Sequence, residues 1–293
     1  MFDLHLHSYY SADAQDSPET MLRAASRAGV QLLSITDHNC VDHIEPALKA
    51  ASQTSLRLVP GLELTCSALH FGLEEVHILA HFPTFNSRPW TKPALTRLLE
   101  EIAELQFQNL SQLLRGLGIS IERLQLARKD LLETGGLADS TPLALHLFKR
   151  CSPSLQPLPW VDIKIRRDAV ITNLRETHSW HPFPSFIRVL RVLQAVGAVA
   201  TLAHPARYSL LPKALLSLIE EMKAEGLDGL EAIYLPHFSY RDSLIAIANT
   251  HGYSITSGSD SHCVDNLTVP AYGEFVEQVT ALSKLIALGR YHR

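Results

Sequence analysis

The chain is poor in cysteine: Cys40, Cys66, Cys151 and Cys263 are its only four in 293 residues, and no two form a C-x-x-C pair. That scatter gives no disulfide framework and reads as a reduced, cytoplasmic protein. No uninterrupted apolar run is long enough to span a bilayer, so no membrane partner is expected. The opening Met1-Phe2-Asp3-Leu4-His5 has neither the charged stretch nor the apolar core of a secretory signal. There is no surplus of positive charge either. The net charge of -4 leaves no general basic footprint for nucleic acid, although a local basic patch stays open. Internal repeats and low-complexity stretches are absent. What remains, 46% hydrophobic and 19% charged, is a globular mix with ample material for a core.

The residue in excess is histidine. There are 15, about twice an ordinary share, and they are dispersed rather than gathered in a tag. Excess imidazole points to metal or acid–base chemistry. Phe2-Asp3-Leu4-His5-Leu6-His7 alternates apolar and polar, which is strand periodicity with Asp3, His5 and His7 on one face. Ser17-Pro18-Glu19 opens a helix, and Leu32 to Thr36 is a short strand ending in Asp37-His38-Asn39. Residues Leu58 to Leu64 read as a third strand carrying Glu63, and Val76 to Ala80 as a fourth carrying His77. Later strands run from Ala198 to Ala203, ending in His204-Pro205, from Gly229 to Tyr234, and from Tyr253 to Ser257, ending in Gly258-Ser259-Asp260-Ser261-His262. Helices are expected between them, from Phe186 to Val196, Pro212 to Glu225 and Arg241 to Thr250.

Seven strands, mostly followed by helices, imply a parallel α/β sheet, and a closed or nearly closed barrel fits. The rhythm breaks between about Pro93 and Arg175, where the pattern is helical. We therefore expect residues 1–90 and 185–293 to form the barrel domain, with 91–184 as an inserted helical subdomain.

Each polar piece has a plain explanation when taken alone. A histidine in an apolar strand is often a satisfied core residue, Asp37 can cap the following helix, and Glu63 can pair with a neighbouring cation. Placement changes the balance. His5, His7, His38, Glu63, His77, His204, Asp260 and His262 all lie in or just beyond the C-terminal half of a strand. In a parallel barrel those ends converge on one mouth, where so many imidazoles and carboxylates would repel or desolvate one another without cations. Mixed nitrogen and oxygen donors suit Zn, Mn or Fe. The donors are too many for one ion, so two or three divalent metals are expected. Sites with two metals typically activate water and clamp a transferring phosphoryl group.

Asp3-Leu4-His5-Leu6-His7-Ser8 resembles the opening motif of the PHP family, named for polymerase and histidinol phosphatase. Thr36-Asp37-His38-Asn39, Gly61-Leu62-Glu63, His77-Ile78-Leu79, Ala203-His204-Pro205 and Gly258-Ser259-Asp260-Ser261-His262 look like its later motifs, in order. The resemblance implies a distorted seven-stranded (β/α) barrel and a trinuclear site. Its ligands would be His5, His7, Glu63 and Asp260 for one metal, Asp13, His38 and His262 for a second, and Glu63, His77 and His204 for a third. Asp16 is the alternative to Asp13. Ala203 to Tyr208 and Gly229 to Tyr234, with His237 beyond, resemble a branch with a helical insertion. Members of that branch act on nucleotide monophosphates, nucleotide bisphosphates or the 5′ ends of short RNA. The branch usually carries an Arg-rich segment on the first insertion helix, where this chain has Gln106-Phe107-Gln108-Asn109.

The expected reaction is hydrolysis of a phosphate monoester by a metal-activated water. The expected partner is a phosphorylated small molecule or nucleotide, with short RNA as a further possibility. Arg207 is placed to hold a phosphoryl oxygen, or to form a surface ion pair. His237 is a candidate to protonate the leaving oxygen, and Asp37 to hold a ligand histidine in place. Within the insertion, Arg128, Lys149, Arg150, Lys164, Arg166 and Arg167 can meet phosphates or simply line a solvated face. Trp160, Trp180 and Phe183 can stack on a base or fill the core. Two other readings stay open: a histidinol-phosphate phosphatase, and a non-catalytic PHP domain that keeps its metals for regulation. A metal-dependent amidohydrolase ranks lower, because no Lys stands at a strand end to bridge metals.

Overall fold

The computed structural model describes residues 2–11, 13–84, 86–116, 169–234 and 239–264. The elements are β1 (Phe2–Leu6), α1 (Pro18–Arg27), β2 (Leu32–Ile35), α2 (Ile44–Ala51), β3 (Arg57–Leu58), β4 (Gly61–Ala68), β5 (Leu73–His81), α3 (Pro93–Gly116), α4 (Phe186–Val196), β6 (Val199–Leu202), α5 (Pro212–Ala224), β7 (Gly229–Tyr234), α6 (Arg241–His251) and β8 (Ser254–Gly258). Residues 169–176 are also helical. Local chemistry sets several of these ends. The Ser17 hydroxyl accepts the Thr20 amide at 3.1 Å ahead of Pro18, which opens α1. Gly197, at φ 81, closes α4.

The expected seven-stranded parallel barrel is corrected in two respects. Among the described residues, eight strands form two sheets, ordered β1-β2-β3 and β4-β5-β6-β7-β8, and neither closes on itself. The additional strand comes from the segment read as one strand from Leu58 to Leu64. Pro60 has no amide hydrogen to continue a ladder, so the segment divides into β3 and β4. The second correction concerns direction. β5 runs antiparallel to both β4 and β6. Only Leu69–Phe71 and Gly72 separate β4 from β5, and a link that short cannot make the crossover a parallel pair requires.

Beyond the strand ends the two sheets meet twice. Leu6 bridges Ser261 and His38 bridges Glu63, both in parallel register. The Asp260 amide donates to the His5 carbonyl at 2.7 Å, and the Asn39 amide to the Glu63 carbonyl at 2.7 Å. These bonds bring the end of β1 beside the end of β8, and the end of β2 beside β4.

β4 shows how one strand serves both core and site. Leu62, Leu64, Cys66 and Ala68 join the main apolar core with Phe186, Val189, Leu190 and Leu193 of α4. Glu63, Thr65 and Ser67 alternate with them and face the other way. All eight residues of the strand are buried, since one face lies under helices and the other inside the molecule. In β1, Leu4 and Leu6 likewise join apolar clusters, and Asp3 and His5 alternate with them.

α3 packs into the same core through Leu95, Leu98 and Ile102. The segment Gln106 to Asn109 holds one structural clasp: Asn109 donates to the His181 carbonyl and accepts the His181 amide, each at 2.8 Å. Residues 117–168, which include the basic residues from Arg128 to Arg167 and Trp160 assigned to the expected insertion, lie outside the described residues, as does His237. Among the described residues no helix is long and apolar enough to cross a membrane.

Candidate metal centre

Glu63 stands at the middle of a buried polar cluster. Its Oε2 lies 2.9 Å from His38 Nδ1, 3.3 Å from His5 Nε2 and 3.4 Å from His7 Nε2. Its Oε1 lies 2.9 Å from His77 Nδ1 and 3.3 Å from His204 Nε2. One carboxylate thus faces five imidazoles supplied by β1, β5 and the loops after β1, β2 and β6. Asp260 Oδ1 lies 3.1 Å from His7 Nε2 and 3.4 Å from His5 Nε2. Asp13 Oδ2 lies 3.1 Å from His262 Nε2 and 3.6 Å from His38 Nε2.

All nine residues named as metal ligands are therefore brought together. Four groups among them place three donor atoms within 4.8 Å of one another: His7, His38 and His262; His5, His7 and Asp260; His5, Glu63 and His204; and His38, Glu63 and His77. Asp13 joins through His38 and His262. Asp16 is used otherwise, accepting the Val264 amide at 2.8 Å.

The backbone is strained where two of the candidate ligands sit. His204 has φ 29 and Asp260 has φ 53, each directly after a strand or its short extension. Side chains other than glycine's rarely adopt such angles, and they persist where surrounding contacts over-determine them.

Charges within the cluster follow from burial and neighbours. Burial would neutralise His5, but the carboxylates of Glu231, Glu63 and Asp260 outweigh it and raise its pKa well above the ordinary imidazole value. His38 is raised in the same way, against burial, by Glu63 and Asp13. His77 is raised to about 10, with Glu63 and Glu75 overcoming burial. His7 is pushed down to about 4 by burial and by the imidazoles of His38 and His262. His204 is lowered, first by burial. Burial also opposes the Glu63 charge, yet the surrounding histidines hold it well below the usual carboxylate range.

These donors fit divalent metal ions. His5 Nε2, His38 Nδ1, His77 Nδ1 and Glu63 Oε2 are buried, face one another and lack aligned hydrogen bonds among the described residues. Buried polar atoms left in that condition cost roughly 1–3 kcal/mol each. Ions placed between them would satisfy imidazole lone pairs and carboxylate oxygens together. The mixture of imidazole nitrogens and carboxylate oxygens suits a divalent metal ion.

The remaining candidates stand apart from this centre. Asp37 is fully buried, and its oxygens accept the Ser8 amide at 2.7 Å, the Ser8 hydroxyl at 2.6 Å and the Ser11 hydroxyl at 2.7 Å. It does not cap α2, whose N-cap is His43. The Ser11 hydroxyl in turn faces His7 Nδ1 at 3.2 Å and accepts the His38 amide at 2.9 Å. Asp37 therefore reaches two of the candidate ligand histidines through Ser11. Arg207 is about half exposed, with Nη1 3.9 Å from Asp260 Oδ2. Tyr234 donates to that same oxygen at 3.1 Å.

Two buried carboxylates were given no role in reading the sequence. Asp3 accepts the Ser259 hydroxyl at 2.6 Å and its amide at 3.0 Å. Glu231 faces His5 Nδ1 at 3.0 Å and accepts the His204 amide at 2.7 Å. The available signal was their position: Asp3 shares the His5 face of β1, and Glu231 is an acid inside an apolar strand.

The PHP domain family matches residues 3–130. A 3′,5′-nucleoside bisphosphate phosphatase from Chromobacterium violaceum is 28% identical over 266 residues, covering 89% of this chain and 86% of that protein. The 5′-3′ exoribonuclease Rnm of Escherichia coli is 24% identical over 282 residues, covering 89% and 85%. Among solved structures, a Chromobacterium violaceum protein named an amidohydrolase superposes with a TM-score of 0.68 at 23% identity, covering 98% of this chain and 96% of that one. A Bifidobacterium adolescentis protein provisionally named a metal-dependent phosphoesterase does so at 0.65 and 21%, covering 89% and 87%. At these identities the two structures show a shared fold.

Proposed function

We propose that this chain, which carries a PHP domain, is a metal-dependent phosphoesterase that hydrolyses phosphate monoesters of nucleotides, nucleotide bisphosphates or short RNA 5′ ends. The observation that carries the reading is Glu63, whose two oxygens each face imidazoles of different strands and loops, the arrangement of a bridging ligand. The relatives named bisphosphate phosphatase and exoribonuclease support the substrate class.

When bound, two or three ions of Mn, Zn or Fe would supply an activated water and neutralise phosphoryl charge. His5, His7, Glu63 and Asp260 would hold one, Asp13, His38 and His262 a second, and Glu63, His77 and His204 a third. Arg207 offers a planar fork of donors at the rim, suited to a non-bridging phosphoryl oxygen. His237, beyond β7, is proposed to donate a proton to the leaving oxygen. Asp37 fixes the loop that carries His7 and the Ser11 hydroxyl, and so orients ligands rather than meeting substrate. The segment 91–184 is proposed as the inserted subdomain that selects the substrate.

The test is phosphate release from nucleoside monophosphates, 3′,5′-bisphosphates, short 5′-phosphorylated RNA and histidinol phosphate, with Mn, Zn or Fe supplied in turn. Release that needs a metal and disappears in His204→Ala and Glu63→Gln is expected, with the nucleotide substrates preferred. A protein that binds two or more ions yet releases phosphate from none of them would overturn the reading and leave a regulatory metal-binding domain.

A further inference from the structure

Glu231 lies on β7, between β6 and β8, and is completely buried. It sits at an irregularity in the β7–β8 pairing: Glu231 faces Thr256, but the next pair is Ile233 with Ser257, so β7 carries one extra residue. Such bulges re-aim side chains. Both carboxylate oxygens are engaged, Oε1 with His5 Nδ1 at 3.0 Å and Oε2 with the His204 amide at 2.7 Å. β8 leaves room for this meeting. At Gly258 a methyl group would stand 2.3 Å from Glu231 Oε1 and 2.2 Å from His5 Cβ.

We propose that Glu231 is a positioning residue that sets the tautomer of His5, presenting its Nε2 lone pair to the cluster, and that pins the strained backbone of His204 with its other oxygen. The inference rests on the metal-centre reading given above and assigns to it a residue that touches neither substrate nor ion.

The argument is one of donors and acceptors. A carboxylate has acceptors alone, so the His5 nitrogen facing it carries the hydrogen. That leaves Nε2, 3.3 Å from Glu63 Oε2 and without an aligned hydrogen bond among the described residues, as the ligand atom. Histidine ligands are commonly held in this way by a carboxylate on the far nitrogen. The second oxygen meets the amide of His204, whose φ of 29 needs an external tie. One side chain thus governs one ligand through its ring and another through its backbone.

Glu231→Gln separates this role from simple packing. The amide keeps the shape but has one acceptor and one donor group. If its oxygen keeps the His204 amide, its NH2 faces His5 Nδ1 and forces the hydrogen onto Nε2, which then cannot ligate. If it turns over, the His204 amide faces a donor. Either orientation loses one half of the clasp.

The experiment has two parts. In zinc-loaded wild type, proton–nitrogen correlation spectra of the imidazoles are expected to show His5 protonated at Nδ1 and metal-bound at Nε2; ligation through Nδ1 overturns the proposal without any variant. In Glu231→Gln, metal titration read by elemental analysis and competition is expected to show one ion bound roughly 10–100-fold more weakly, with the others unchanged. Glu231→Gln that binds every ion as wild type does also overturns it. Failure of wild type to bind any divalent ion overturns the metal-centre reading itself, and that result is separate from the other two.

Discussion

Replacing Gly258 with alanine should damage the metal centre without changing any ligand. The added methyl would come within 2.2 Å of His5 Cβ, 2.3 Å of Glu231 Oε1 and 3.2 Å of His5 Cα. Relaxed carbon–carbon contacts lie at about 3.5–4.0 Å, so the first contact is short by more than about 1 Å. Rotation of a side chain cannot relieve it, because Cβ is fixed to the His5 backbone. β1 must separate from β8, although the Asp260 amide ties them by a 2.7 Å bond to the His5 carbonyl. Overpacking of this kind costs about 1–3 kcal/mol. At roughly 2–4 °C per kcal/mol for a chain of this size, the unfolding midpoint should fall by several degrees. Displacing His5 should also weaken binding of the ion it holds by at least ~10-fold. Gly72→Ala is the control: Gly72 has φ 74 but nothing within 4 Å, so alanine there should cost about 1 kcal/mol of backbone strain and leave metal binding intact. Midpoints come from thermal melts of metal-free protein and affinities from competition titrations. Gly258→Ala with wild-type midpoint and wild-type affinity would refute the argument that β8 is bare to admit the His5–Glu231 pair.

Metal loading at neutral pH should release protons, because the pKa values of His5 and His38 are raised well above normal and that of His77 to about 10; calorimetry in buffers of different ionisation enthalpy reads this, and absence of release would contradict those charge states. The same groups stabilise the metal-free fold fully below the unfolded imidazole value, so its melting midpoint should decline as pH rises from neutral towards about 10. Asp37→Asn places an amide donor among the Ser8 and Ser11 donors and should destabilise by about 1–3 kcal/mol, measured by urea unfolding. Arg207→Ala, at a half-exposed position, should raise KM for phosphate esters while leaving metal content and melting midpoint unchanged; loss of bound metal instead would show that Arg207 serves the cluster.

Much of the site was legible from two marks, alternation within a strand and a polar residue where an apolar run stops. His5, Glu63 and His77 carry the first, and His38, His204 and Asp260 the second. The split at Pro60 was legible in principle, since proline cannot donate to a ladder, but an apolar run on either side hid it. The antiparallel β5 was harder to see. Its direction follows from the length of the Leu69–Phe71 link, and residues 65–75 contain no Asn-Gly or Asp-Gly pair to announce a hairpin. Alternation cannot distinguish the two directions. Asp3 and Glu231 were missed for another reason: the loop amides they hold, at Ser259 and His204, lie far from them in sequence.

The buried acids divide by whether they hold a backbone amide. Glu63, Asp13 and Asp260 face imidazoles. Asp3, Asp37 and Glu231 each accept a backbone amide, from Ser259, Ser8 and His204 respectively. In every case the holding acid belongs to one strand or its end, and the amide to the loop following the strand beside it: β1 holds the loop after β8, the end of β2 holds the loop after β1, and β7 holds the loop after β6. Each of those loops carries ligands. Asp260 and His262 follow Ser259, His7 and Asp13 flank Ser8, and His204 is itself the tied residue. Such bonds offset the desolvation of the three acids, and they fix loop backbone where φ is unfavourable or next to such a residue, at His204 itself and at Ser259 beside Asp260. The geometry of the proposed metal centre therefore depends on strand neighbours clasping one another's loops. Removing one clasp should move the ligands of one loop and spare those of the other two.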